Sequence, residues 1–367
     1  MSAAVEIQLI AVVVAAACAL PGVFLVLRRM AMMSDAISHT VLLGIVLTFF
    51  VLRDLESPWL ILGAALMGVV TVSLVELLNG TRLVKEDAAI GLVFPALFSV
   101  AVILISKYAH GVHLDSDAVL LGELAFAPFD RWTILGIDLP HALVVMSGVL
   151  ILNIIFIALF YKELKLATFD AGLAATLGLS PVIVHYGLMT IVSITAVGAF
   201  DAVGAILVVA MMITPAAAAY LLTDKLEWML GWSVLLGAAS GVSGYWLAAW
   251  LDANIAGSMA TMTGVLFVVV FLVAPERGVV ALARRRARQK WEFAQTALAI
   301  HLWHHEGTPA YAEECRVEHL TEHMHWEADF AEALVQRAQK AGVVTRRGND
   351  LYLTDNGRLL AREMLSY

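Results

Sequence analysis

Asp35 and His39 stand four residues apart in Ser34-Asp35-Ala36-Ile37-Ser38-His39, so on a helix their side chains share one face. A carboxylate with an imidazole is a mixed oxygen and nitrogen ligand set suited to Mn2+, Fe2+ or Zn2+. The same two residues also fit a plainer reading, in which Asp35 caps a helix N-terminus and His39 bonds a neighbour. The pair adjoins an apolar run at 37–52. A charge inside a membrane span costs at least ~2.5 kcal/mol at the helix centre and by default marks a pathway. A second group of candidate ligands lies near the other end of the chain. Six of the eleven histidines, His301, His304, His305, His319, His323 and His325, fall within residues 301–325. His301/His305 and His319/His323 are i,i+4 pairs with Glu322 alongside. They read as a regulatory metal site or as surface histidines on short soluble helices.

Other ionisable residues carry weaker signals. Glu86 and Asp87 precede an apolar run at 88, where acids favour a helix N-terminal dipole. Asp201, between two apolar stretches, either lines a path or caps a helix, and His185 reads as a packing histidine. The run His110-x2-His113-x-Asp115-x-Asp117 would receive metal, dock a partner or form a solvated acidic loop.

The elements that must hold these groups are lipid-solvated. Of 367 residues, 61% are hydrophobic and 15% charged, against about 25% charged in soluble domains; the mean hydropathy is +0.85. The balance changes near residue 280. Residues 1–280 hold 11 Lys/Arg against 19 Asp/Glu, whereas the remainder holds 12 of each. Three parts follow: a transmembrane domain at 1–280, a basic linker at 281–290 and a soluble domain at 291–367. Cys18 and Cys315 fall one in each domain, which suggests neither a disulfide nor a cysteine metal site. A first segment without a basic n-region reads as a retained membrane helix.

A span needs roughly 20 apolar residues. Candidates are about 5–27, 37–52, 58–78, 88–106, 141–160, 181–199, 203–222, 228–250 and 258–274. These predict an all-α polytopic protein of 8–9 transmembrane helices, with 181–222 readable as a broken pair. Lys and Arg concentrate at Arg28/Arg29, Arg82/Lys85, Lys162/Lys165 and Lys225, and again at 284–290. The basic side is cytoplasmic, so the N-terminus is expected outside and the tail inside. Small-residue runs at 198–204 and 237–241 let helices approach closely in lipid. Two insertions stand out. Residues 107–140 face outside and carry His110, His113, Asp115, Asp117, Glu123, Asp130 and Asp138. Residues 161–180 face inside; from Phe169 to Leu179 they alternate apolar and small residues as a short amphipathic helix, with Asp170 and Gly178 where caps belong. No phosphate-loop motif occurs, so the chain is not its own ATPase of that class.

Leu27-Arg28-Arg29-Met30-Ala31-Met32-Met33-Ser34-Asp35-Ala36-Ile37-Ser38-His39 resembles the N-terminal signature of bacterial zinc/manganese/iron ABC importer permeases. Three later blocks resemble that family in order: Lys85–Gly91, the stretch from Lys162-Glu163-Leu164 through Phe169-Asp170 to Leu177-Gly178-Leu179, and Gly204–Val208 with Thr214–Ala218. One departure is Leu43-Gly44 in place of Pro-Gly, which predicts a helix without a kink. The resemblance implies a permease importing manganese, iron or zinc across the bacterial inner membrane. It further implies a second permease subunit, separate ATPase subunits that hydrolyse ATP, and an extracytoplasmic solute-binding protein. Asp35 and His39 would then face the translocation path, and Phe169, Asp170, Leu177 and Gly178 would dock on the ATPase. No permanently bound cofactor is implied; the divalent metal is cargo. Two alternatives remain, a membrane-anchored metal sensor and an ion-gradient-driven metal carrier.

The tail reads as helices at 291–304, 310–324 and 326–341, then two short strands around Gly348-Asn349-Asp350, then a helix near Asn356. It resembles the winged helix of diphtheria-toxin-repressor-like metalloregulators. Residues 281–367 net zero charge, and the helix at 327–340 carries Glu327, Asp329 and Glu332 against Arg337 and Lys340. A nucleic-acid footprint should be basic, so no nucleic acid is expected.

Overall fold

The computed structural model describes residues 2–53, 57, 59–108, 124–134, 137–309 and 311–365. Contacts divide the chain into two compact units, Met1–Gly278 and Val279–Tyr367.

In the first unit, eight of the described helices are long and apolar enough to cross a membrane. They are α1 (Ala3–Leu27), α2 (Ala31–Leu52), α3 (Trp59–Gly80), α4 (Glu86–Tyr108), α5 (His141–Leu159), α8 (Pro181–Leu222), α9 (Leu226–Leu251) and α10 (Ile255–Val273). Between α5 and α8 lie the short helices α6 (Tyr161–Phe169) and α7 (Ala171–Thr176). Before α5 lies an antiparallel hairpin, β1 (Arg131–Ile134) with β2 (Ile137–Pro140), that no sequence signal had indicated.

The second span is longer than expected. α2 begins at Ala31, not at 37, because the polar residues of its first turns are satisfied within the helix. Ser34 Oγ donates to the Ala31 carbonyl at 3.1 Å and Ser38 Oγ to the Ser34 carbonyl at 2.9 Å. Gly44, at the departure from the family pattern, sits within an unbroken helix against α3; a Cβ there would stand 2.6 Å from the Gly63 carbonyl oxygen.

α8 holds the fold's largest irregularity. As a straight rod its 42 residues would run about 63 Å, twice the ~30 Å hydrocarbon core. It breaks at Gly204 (φ 77°, ψ 165°), a region essentially confined to glycine. Neighbours fix the direction of each leg. His185, near its start, approaches Arg28 at the end of α1, and Arg28 also bonds Thr168 of α6. Tyr220, near its end, accepts from Arg277 just beyond α10, and Arg277 pairs with Asp224 just before α9. α9 runs antiparallel to α1, with Gly237 against Ala15 and Gly241 against Ala11. Both ends of α8 therefore lie at one end of the bundle, and the helix is two legs joined at a glycine turn.

α1 forms the middle of this unit, with Ile10, Val14, Ala17, Val23 and Phe24 fully or almost fully buried. Its small side chains admit close neighbours, and a Cβ on Gly22 would stand 1.8 Å from the Met212 carbonyl oxygen. Buried polar groups bridge helices. Asn153 Nδ2 donates to the Ala17 carbonyl at 2.8 Å and to Thr195 Oγ1 at 2.9 Å, and Ser193 Oγ donates to the Ala65 carbonyl at 2.9 Å. Each such bond contributes roughly 0.6 kcal/mol in a bilayer.

The second unit runs α11 (Val279–His305), α12 (Tyr311–Glu314), α13 (Val317–His323), α14 (Ala328–Lys340), β3 (Val344–Arg347), β4 (Asp350–Leu353) and α15 (Asp355–Leu365). Leu298, Leu302, Leu320, Leu334, Val335, Leu351 and Ala361 form its core. Two details differ from expectation. Residues 281–290, expected as a linker, are the largely exposed first part of α11, since nothing in that run breaks a helix. The helix expected at 310–324 is split at Cys315–Arg316, where the backbone joins the hairpin: Leu351 N–H donates to the Cys315 carbonyl at 2.9 Å, and Arg316 bridges Asp350. β3 pairs antiparallel with β4, Val344 opposite Leu353, and Gly348 (φ 67°) makes the turn.

Candidate functional site

Asp35 and His39 lie in the first half of α2. His39 Nε2 stands 3.5 Å from Asp35 Oδ1, and the two side chains are 31% and 34% exposed, respectively. The imidazole stacks on Phe94 of α4 at 5.6 Å and meets the edge of Phe98 at 5.9 Å. Most of their neighbours on α2 are buried: Met33, Ser34, Ala36, Ile37, Ser38, Thr40 and Val41. Between Met33 and Gly44 the half-open positions are Asp35, His39 and Leu42, spaced i, i+4, i+7, which is one face of a helix. The only ionisable groups of α2 are thus on a half-open stripe between buried neighbours. Phe94 and Phe98 wall one side of the imidazole, and both side chains remain about one third exposed, within reach of a cation arriving along that stripe.

The bundle end that carries both ends of α8 also carries α6 and α7. Asp170 N-caps α7, its Oδ1 accepting from Leu173 N–H at 2.8 Å. Gly178, just past the end of α7, takes φ 83°. This capped hairpin is held from beneath by the buried Leu164. It presents Phe169, Leu173 and Leu177, 61%, 47% and 64% exposed, at four-residue intervals. Tyr161 of α6 reaches Glu227 of α9 at 3.3 Å; burial first, then the Glu227 charge, raises its phenol above the ordinary range.

The same end holds a network that sequence reading missed. Arg28 Nε donates to Thr168 Oγ1 at 3.1 Å, Arg28 lies 3.4 Å from His185 Nδ1, and His185 Nε2 lies 2.7 Å from Glu76 Oε1. Both ring nitrogens of His185 are therefore engaged, as expected of a satisfied packing histidine. The available signal was Glu76, a lone carboxylate inside the apolar run 58–78.

The remaining candidates scatter. Glu86 and Asp87 occupy the first turn of α4. Asp201 is exposed, three residues before the Gly204 turn. His110, His113, Asp115, Asp117 and Glu123 lie outside the described residues. Asp138 pairs with Arg131, which also binds Glu6 of α1, and Asp130 pairs with His141. In the tail, His301, His305 and Glu314 converge, each offering a ligand atom within 4.8 Å of the others. His319 Nε2 stands 2.9 Å from Glu314 Oε2. The side chains of Glu322 and His323 lie outside the described set. Glu314 was not among the expected ligands, because it is adjacent to the histidines in space and not in helical register.

Residues 3–274 match the ABC 3 transport family. The chain is 52% identical over 360 residues, 98% of each chain, to the zinc transport system membrane protein TroD of Treponema pallidum. It is 48% identical over 284 residues to the manganese transport system membrane protein MntD of Bacillus subtilis, covering 77% of this chain and 96% of that one. Among solved structures, PsaBC from Streptococcus pneumoniae in complex with Fab matches with a TM-score of 0.65 at 28% identity, over 77% of this chain and 96% of that chain. By a bundle of long apolar helices and a family match that spans nearly all of it, this chain belongs to the ABC 3 transport family.

Proposed function

We propose that the chain is the membrane-spanning permease subunit of an ATP-driven importer of a divalent transition metal, manganese, zinc or iron. The observation that carries the reading is the Asp35–His39 pair, an oxygen and nitrogen ligand set on a half-open stripe of a membrane helix. Its half-open face supports a translocation path completed by a second permease subunit across that stripe. ATP hydrolysis belongs to separate ATPase subunits, which dock on Phe169, Asp170, Leu177 and Gly178; exposed apolar side chains on a capped hairpin suit that contact. A solute-binding protein delivers metal from outside. Arg28, Lys162 and Lys225 adjoin helix ends gathered at one end of the bundle, which supports placing that end and the tail in the cytoplasm of a bacterial inner membrane, with the N-terminus outside.

The domain limits follow the same reading: a permease at 1–280, and a winged helix at 291–367 that regulates transport. Helices α11 to α14 followed by a hairpin and a closing helix support the winged-helix assignment. Arg346 of the hairpin is engaged by Glu332 and the Gly348 carbonyl, which supports a tail that binds no nucleic acid.

The test is uptake of radiolabelled Mn2+, Zn2+ and Fe2+ into proteoliposomes holding the complete permease with its ATPase, the solute-binding protein supplied on the side from which metal enters. ATP-dependent accumulation of at least one metal is expected; accumulation of none would overturn the proposal.

A further inference from the structure

We propose that His301, His305 and Glu314 form a binding site for a divalent transition metal within the second unit, with His319 positioning the Glu314 carboxylate. The inference does not depend on the transport reading, since all four residues belong to the tail. His301 and His305 are one turn apart at the end of α11, their rings 4.8 Å from centroid to centroid. Glu314 comes from the end of α12. A ring nitrogen from each histidine and a carboxylate oxygen lie within 4.8 Å of one another. Ligand atoms around a tetrahedral ion at ~2.1 Å are about 3.4 Å apart, so side-chain rotations that draw the atoms together by up to about 1.4 Å close the set.

Two contacts preorganise it. His301 Nε2 is 3.0 Å from the Glu314 main-chain oxygen, which ties α11 to α12 before any ion arrives. His319 of α13 stands 2.9 Å from Glu314 Oε2, the carboxylate–histidine contact that orients metal ligands from behind. All three candidate ligands are half-buried, so the set is neither a solvated surface patch nor sealed from ions. Two imidazoles and a carboxylate select Zn2+, Fe2+ or Mn2+ over Mg2+ or Ca2+. An occupied site cross-links α11 and α12.

The test titrates Co2+, a coloured substitute for Zn2+, into the full chain in detergent, purified without a polyhistidine tag. Visible ligand-field absorption reports the coordination. The unaltered chain and the double variant Asp35→Asn/His39→Gln are both expected to show a tail signal that Zn2+ displaces. His301→Ala/His305→Ala is expected to lose it, and so is Glu314→Gln, which keeps the volume of the side chain it replaces. His304→Ala, outside the site, is expected to retain it. His319→Ala should reach the same end point with affinity weakened about tenfold or more; unchanged affinity would overturn its positioning role. Metal-free thermal unfolding of each variant separates ligand loss from misfolding. A signal that survives in Glu314→Gln and in the folded double histidine variant would overturn the site.

Discussion

Arg28 donates its Nε–H to the Thr168 hydroxyl at 3.1 Å, so the end of the central helix α1 is tied to the short helix α6. The tie continues through His185 to Glu76 and thereby joins α1, α6, α8 and α3. Phe169, next to Thr168, is the first exposed apolar residue of the surface proposed to meet the ATPase. Asp35 follows Arg28 by seven residues through the short connection between α1 and α2. Arg28 thus links the proposed docking surface to the helix that carries the proposed metal ligands.

Breaking this network should loosen coupling more than folding. Networks of this kind modulate coupling by about 0.5–2 kcal/mol. Both Glu76→Gln and His185→Ala are therefore expected to lower ATP-driven uptake by about 2- to 30-fold while the permease still reaches the membrane. Uptake per molecule of ATP hydrolysed, measured in proteoliposomes with the ATPase, checks this; an unchanged ratio in both variants would reduce the network to simple packing.

Transport should depend on Asp35 and His39 without the fold depending on them. Asp35→Asn and His39→Gln nearly preserve volume, and both side chains are about one third exposed, so membrane abundance should match the unaltered protein. Metal uptake should fall to background in each variant. Normal uptake in both would remove these residues from the path.

Phe169→Asp is expected to abolish co-purification of the ATPase and leave the permease intact. Phe169 is 61% exposed, so the substitution removes little internal packing. In a docked complex it would bury an unpaired carboxylate, at a cost of about 2–5 kcal/mol. Undiminished co-purification would place the docking surface elsewhere.

Much of the membrane unit was legible because lipid makes long apolar runs unambiguous. The start of α2 was not, since Ser34 and Ser38 look polar in sequence yet bond back to their own helix. The i,i+4 spacing of Asp35 and His39 was enough to expect their side chains side by side, as they are. Glu76 with His185, and Glu314 with His301, could not be expected in that way: each pairing joins different helices, and no local pattern encodes which distant residue a side chain will meet. In the tail, the split at Cys315–Arg316 was hidden because the backbone there pairs with residues more than thirty positions away.

Gly204 should be irreplaceable in place. Its φ of 77° with ψ of 165° strains any residue bearing a Cβ by about 1–3 kcal/mol, and the turn there sends α8 back to its starting end. Gly204→Ala is expected to lower the thermal stability of the detergent-solubilised chain, whereas Gly231→Ala, with open space around its Cβ position inside a helix, should not. Equal melting temperatures would contradict the turn.

Finally, the tail should weaken in alkali through two acids, the buried Cys315 and the half-buried Tyr311. Burial first, with nearby acidic groups adding to it, pushes the Cys315 thiol from its ordinary value near 9 up to about 11. The Tyr311 phenol, which donates to the Leu351 carbonyl at 2.8 Å, is pushed up to about 12, again chiefly by burial. Both groups are neutral when protonated, so the folded state holds these protons more tightly than the unfolded state. Their contribution is complete below about pH 9 and is lost as the pH rises through about 11 to 12. A Cys18→Ser chain leaves Cys315 as the sole thiol. Cys315 is only 1% exposed, and the thiolate is the reactive form, so alkylation should be slow at pH 8 and accelerate steeply above about pH 10. Labelling at pH 8 as fast as in the urea-unfolded chain would show that Cys315 is not buried as described.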